Sequence, residues 1–256
     1  MEGFPAIAEA RQYRADMSTG PAPTPGAAPI RWGIGDAIVV WILALMVGAL
    51  ALAPFIEGES IPRADEDIAT FVGLVFQSGA TLLVLNYIAG ARGLGSLRAD
   101  FGLLARLRDA PFFLAGLGVA VVSIVMLTPI IELGDIEKNS QDVKRTFDEA
   151  TGGGLALLVV AVLILAPIGE EVLFRGVLLR ALQRRFTAEQ AIFASALAFA
   201  LVHEALDPGA GFGVPALLLL GLISGWRAVA TGNLSQSLWL HAGFNMLAVL
   251  GRVLDF

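Results

Sequence analysis

Residues 154–182 read GLALLVVAVLILAPIGEEVLFRGVLLRAL, an apolar stretch whose middle holds Pro167, Gly169, the adjacent carboxylates Glu170 and Glu171, and Arg175. A helix that crosses hydrocarbon needs roughly 20 mainly apolar residues, so the length fits a membrane span. The polar centre is costly there, because an ionisable group inside a span costs at least ~2.5–3.5 kcal/mol on insertion. Pro167 removes a backbone donor, which predicts a kink in this helix or its division into two half-helices.

Outward from this stretch the same signal recurs. Candidate spans lie at about 34–56, 68–91, 111–131, 188–203, 214–230 and 235–254. With 154–182 they make seven, or eight if the proline splits the central one. The expected fold is all-α, a polytopic membrane helix bundle. Composition agrees: 56% of the 256 residues are hydrophobic and only 16% charged, and mean hydropathy is +0.75, whereas soluble domains carry roughly 25% charged residues. The domain reading is a proline-rich disordered tail at 1–30, three spans with their loops at 31–153, and a polar-centred helical core at 154–256. No basic patch is long enough to track phosphates, so nucleic acid is excluded as a partner and membrane lipid is implied. The chain has no cysteine, which excludes disulfides, thiolate metal sites and a cysteine nucleophile.

Charge asymmetry orients the bundle. With the N-terminus inside, eleven of the 17 Lys and Arg residues fall in inner segments (Arg11, Arg14, Arg31, Arg92, Arg98, Arg106, Arg108, Arg180, Arg184, Arg185, Arg227) and five in outer ones (Arg63, Lys138, Lys144, Arg145, Arg252), with Arg175 in the membrane. That excess predicts a cytoplasmic N-terminus. Short loops and an Ala/Gly/Arg-rich composition suggest a bacterial inner (cell) membrane.

The first three spans nearly avoid ionisable groups; the last four do not. His203 ends one of these, His241 and Asn245 lie in another, and these are the chain's two histidines. Glu171 and Arg175, four apart, share a helix face and can pair. Glu170 is rotated about 100° away and stays free to face the interior as a general base or acid. His241 and Asn245 also share a face and could donate to a developing oxyanion. Depth favours convergence only in part. Glu170 precedes Arg184 by fourteen residues and His203 follows Glu189 by fourteen, each ~21 Å along a helix, while His241 comes too soon after its span begins unless residues 231–237 dip inward or the last helix tilts. Each feature alone has a bland reading: Glu171–Arg175 as a structural ion pair, one histidine as an interhelical bond, Asn245 as packing glue, and Glu204, Asp207 and Pro208 as a solvated turn. Their concentration in one half of the chain favours a hydrolytic site. Two histidines and a glutamate could hold zinc with an open position for water, making Glu170, His203 and His241 candidate metal ligands, or the same groups could activate water without metal.

Glu170-Glu171-x-x-x-Arg175, Phe199-x-x-x-His203 and His241-x-x-x-Asn245, in this order over about 155–250, resemble the CPBP family, the CAAX prenyl protease 2 type also called the abortive-infection or bacteriocin-processing family. The resemblance implies an intramembrane endopeptidase, described in the family both as a metalloprotease and as glutamate-dependent. It implies Glu170 as the base on water with His203 as partner, Glu171 and Arg175 as supports, and His241 and Asn245 as the oxyanion pair. The implied substrate is a membrane-associated protein or peptide, including lipidated ones. The rival expectations are a non-enzymatic immunity or scaffolding protein of the same fold and, against the lack of inverted repeats, a small-solute transporter.

Overall fold

The computed structural model describes residues 30–133, 149–206 and 213–254. Residues 1–29 of the tail expected at 1–30, the acidic loop around Lys138, Lys144 and Arg145, and Asp207 and Pro208 lie outside the described residues. Eight helices follow in order: α1 (Ile34–Leu52), α2 (Glu66–Arg92), the short α3 (Leu97–Phe101), α4 (Pro111–Leu133), α5 (Gly152–Gln183), α6 (Ala188–Leu206), α7 (Gly213–Thr231) and α8 (Ser235–Leu254). No strand occurs among the described residues, only an isolated bridge between Glu57 and Ser60. The all-α, polytopic architecture expected from the sequence is present.

Among the described residues six helical segments are long and apolar enough to cross a membrane, against seven expected. The seventh, α8, has the length at 20 residues. Ser235, Gln236, Ser237, His241 and Asn245 interrupt its apolar sequence. Glu204, expected in a turn, continues α6 instead. Large apolar side chains such as Leu50, Leu83, Tyr87, Leu114 and Met126 stand exposed on α1, α2 and α4, a pattern that requires lipid rather than water around the bundle.

Pro167 does not split α5. The helix absorbs it through two π-helical segments, Ala161–Leu165 before the proline and Val172–Leu178 after it, with Ala166–Glu171 α-helical between them. In the π register each N–H reaches the carbonyl five residues back, as the Ala166 N–H does to Ala161 O. Pro167 has no N–H to give, so Val162 O, five residues back, loses its partner. Asn245 of α8 supplies one: its Nδ2 donates to Val162 O at 2.8 Å. Ser78 of α2 donates to Leu165 O at 3.0 Å, and Ser195 of α6 to Phe174 O at 2.9 Å. Three neighbours thus bond the carbonyls of the two π segments, as hydrocarbon requires.

The arginine-rich ends of the helices meet at one end of the bundle around Asp100, which is 2% exposed. It accepts hydrogen bonds from Trp32 Nε1 at 2.9 Å and the Leu94 N–H at 2.8 Å. Arg180 joins this corner to the start of α8 by donating to Asp100 O at 3.2 Å and Gly232 O at 2.7 Å. Arg184 bonds Trp32 O and stacks on its ring at 4.4 Å. The segment after α3 then covers the first turn of α8: the Leu234 N–H donates to Gly102 O, the Arg106 N–H to Ser235 Oγ, and Trp239 Nε1 to Arg106 O. Leu234, Ser235 and Ser237 are fully buried.

α8 packs most extensively on α4, and two glycines set the separation. A Cβ at Gly116 would lie 1.8 Å from Leu240 O, and one at Gly243 would lie 1.8 Å from Phe113 O. Each glycine therefore admits the other helix's backbone, the small-residue contact by which membrane helices approach closely. Because these contacts flank His241, they also fix its placement. Gly243→Ala is expected to destabilise the protein by about 1–3 kcal/mol, as overpacking does, and to displace His241. Thermal unfolding in detergent would measure the first effect; an unchanged midpoint would remove the claim that this contact is close.

Candidate active site

Helical rotation separates the two carboxylates. Glu171 points into the core with its side chain fully buried, while Glu170 points toward a cleft with its side chain 25% exposed. Arg175, also fully buried, lies 3.2 Å from Glu171 Oε1 through Nη1. The i,i+4 pairing expected from the sequence is therefore present. The guanidinium stacks over Phe199 at 4.3 Å and approaches Phe174 at 6.0 Å, geometry suited to cation–π attraction in a desolvated site. None of its nitrogens makes a well-formed hydrogen bond among the described residues, so the charge is held by ion pairing and ring faces.

Both histidines converge on Glu170 from separate helices. His203 Nε2 lies 3.6 Å and His241 Nε2 3.5 Å from Glu170 Oε2. Their other ring nitrogens are anchored. His203 Nδ1 donates to Phe199 O at 2.8 Å and His241 Nδ1 to Glu171 Oε1 at 3.0 Å. These acceptors fix the tautomers, since a carbonyl or a carboxylate can only accept. A neutral ring then presents a lone pair at Nε2, as Glu170 presents one at Oε2. At 3.5–3.6 Å the groups are beyond direct hydrogen-bond length, and Glu170 Oε2 is buried without a hydrogen-bond partner among the described residues.

The depth problem with His241 is resolved by the buried start of α8. The helix begins beneath the segment that follows α3, so six residues suffice to bring His241 to the level of Glu171. Asn245, one turn further, spends an amide N–H on Val162 O; an amide has a second. Phe199, part of the quoted pattern but assigned no task there, anchors His203, lies under Arg175, and meets the His241 ring edge-on at 5.7 Å.

The cleft before Glu170 holds about 490 Å³ including its open mouth, and lies between α1 and α2 on one wall and α5 and α6 on the other. Glu170 and His203 line it; His241, 2% exposed, sits behind. The α1–α2 wall escaped the sequence reading, which took those spans only as apolar helices. The polar run Gln77, Ser78 and Thr81 inside α2 was the available signal. Among the described residues no three His, Cys, Asp or Glu side chains are grouped so as to hold a metal ion. Glu170, His203 and His241 stay the candidate ligands for zinc, with both imidazole Nε2 atoms 3.5–3.6 Å from Glu170 Oε2.

This is a polytopic helical membrane protein with a glutamate–histidine cluster beside a cleft. Residues 152–247 match the model of a protease family, the type II CAAX prenyl endopeptidase Rce1-like family. The matched segment is the one that carries the CPBP-type motifs, from the start of α5 to just past Asn245. No curated protein and no solved structure matches the chain significantly.

The buried pair has a measurable consequence. Arg175→Met leaves Glu171 buried without its counter-charge and is expected to cost about 3–5 kcal/mol, the penalty for breaking a buried ion pair from one side. Chemical or thermal unfolding in detergent checks this, and a loss below about 1 kcal/mol, the scale of an exposed pair, would contradict the role given to Arg175.

Proposed function

We propose that the protein is a CAAX-protease-type intramembrane endopeptidase, in which Glu170 activates water to hydrolyse a peptide bond of a membrane-associated or lipidated protein. The observation that supports this most is the convergence of two imidazole Nε2 atoms on one carboxylate oxygen, Glu170 Oε2, of a side chain that lines a cleft. Glu170 takes a proton from the water as its oxygen forms a bond to the scissile carbonyl carbon. His203, 32% exposed at its side chain, accepts a hydrogen bond from that water at Nε2, takes the proton over from Glu170, and passes it to the leaving amine as the C–N bond breaks, which returns both groups to their starting state. His241 as imidazolium keeps its Nδ1–H on Glu171 and donates through Nε2 to the oxyanion, joined by the second N–H of Asn245. Glu171 and Arg175 hold the ring that does this.

Water activation in this scheme uses no metal. The arginine-rich end of the bundle is the proposed cytoplasmic side, by the excess of Lys and Arg there, and a bacterial inner membrane is the proposed location.

The test is cleavage of a farnesylated, fluorescence-quenched CAAX peptide by the purified full chain. Glu170→Gln and His203→Ala are each expected to lower kcat by about 10²–10⁴-fold, the range of general acid–base catalysis, with unchanged thermal unfolding. Full activity in both variants would defeat the mechanism and favour the non-enzymatic reading. A chelator such as phenanthroline is expected to leave the rate unchanged; loss of activity restored by zinc would instead make Glu170, His203 and His241 metal ligands.

A further inference from the structure

A peptide bond can be attacked only when its segment is extended, and an extended segment in hydrocarbon exposes N–H and C=O groups that must find partners. The cleft wall facing Glu170 carries three polar side chains, all on α2. Two are already committed. Ser78 Oγ donates to Leu165 O, and Thr81 Oγ1 donates to Gln77 O at 2.9 Å. The third, Gln77, is half-buried, lines the cleft, and its side-chain amide makes no hydrogen bond among the described residues.

Gln77 is also held in place. Its Cβ and Oε1 both lie over Gly48 of α1, where an added Cβ would come within 3.1 and 3.5 Å of them. Its neighbour Ser78 touches α5 at Gly169, where an added Cβ would lie 3.0 Å from Ser78 Oγ, and Gly169 adjoins Glu170. Gln77 therefore sits on the α2 side of the cleft that Glu170 also lines, within one residue of the contact between α2 and α5. A primary amide offers one acceptor and two donors in one plane, the complement of the N–H and C=O of a peptide unit.

From this placement we infer that Gln77 is a substrate-binding residue that pairs with the main chain of an extended peptide in the cleft, so that the enzyme selects backbone conformation at this point rather than a side chain. The inference rests on the endopeptidase reading. It adds a recognition element outside the matched segment and on the opposite wall. Gln77→Leu keeps the approximate shape and removes the donors and the acceptor.

The experiment uses the full chain in detergent and the same farnesylated quenched peptide, with and without N-methylation of single backbone amides near the cut. Gln77→Leu is expected to raise KM about tenfold, the scale of one hydrogen bond to a desolvated partner, with little change in kcat or in thermal unfolding. One N-methylation is expected to weaken wild type by a similar factor and to have no further effect on Gln77→Leu. A second arm measures equilibrium binding of the fluorescent peptide to Glu170→Gln protein, with and without Gln77→Leu. Binding that depends on Gln77 without cleavage by wild type would keep this inference and sink the proposed activity. Cleavage with an unaltered KM in Gln77→Leu, or N-methyl penalties equal in both proteins, would overturn the inference and leave the activity standing. Absence of peptide binding would overturn it as well.

Discussion

A carboxylate and a guanidinium, Glu171 and Arg175, sit fully buried in the middle of a membrane helix, and the rest of the site is arranged around the cost of keeping them there. Neither charge could be desolvated alone, and even as a pair their attraction repays the loss of water only when further contacts surround them. Those contacts come from three helices. α6 lays Phe199 under the guanidinium, and α7 brings Gly221 close enough that an added Cβ would lie 3.3 Å from Arg175 Nη2. α8 sends the Nδ1–H of His241 to Glu171. Because the His241 ring is fixed by Glu171, its other nitrogen is aimed at Glu170. The interaction that solves an electrostatic problem in the core thereby builds one side of the reacting site.

The backbone of α5 imposes a second constraint. A proline in a membrane helix leaves a carbonyl without its N–H, and water is not there to replace it. The π segment Ala161–Leu165 moves this orphan to Val162, within reach of Asn245, while Ser78 binds Leu165 from the other side. The helix that carries both glutamates is thus pinned by α2 and by α8 one or two turns before the glutamates. A residue such as Asn245 is then both interhelical glue and a candidate donor, because an amide has two N–H groups and the structural bond consumes one.

Much of this was legible in the sequence, and the exceptions have physical causes. The opposed rotation of Glu170 and Glu171 follows from helical periodicity, since the α-helical turn Ala166–Glu171 holds both carboxylates, and the Glu171–Arg175 pair forms although Arg175 lies in the π segment that follows. Seven long helices follow from hydropathy; the weaker apolarity of α8 is the cost of His241 and Asn245. The depth of His241 was not legible, since counting from a helix end assumes that the end lies at the surface, and the first turn of α8 is covered by a bond to Gly102 O. The target of Asn245 was not legible either: Pro167 shows where a donor is missing, but the register of the helix decides which carbonyl is left over. Gln77 was passed over because one amide does not disturb the hydropathy of a 27-residue helix, and only the packing of α1 on α2 and of α2 on α5 shows which way it faces.

Exposure then divides the labour within the cluster. Glu170 and His203 reach the cleft with side chains 25% and 32% exposed, whereas Glu171, Arg175 and His241 are nearly or wholly enclosed. A group that meets water and substrate must be reachable, and a group that sets the field around them works best where no solvent can screen it. The chain from Arg175 through Glu171 and His241 to Glu170 runs from the dry core to the wet edge. Across that cleft stands the α1–α2 wall, which contributes nothing to the charge cluster. Its polar amide at Gln77 therefore acts on whatever the cleft admits, and the two halves of the chain meet over the substrate rather than through the catalytic groups.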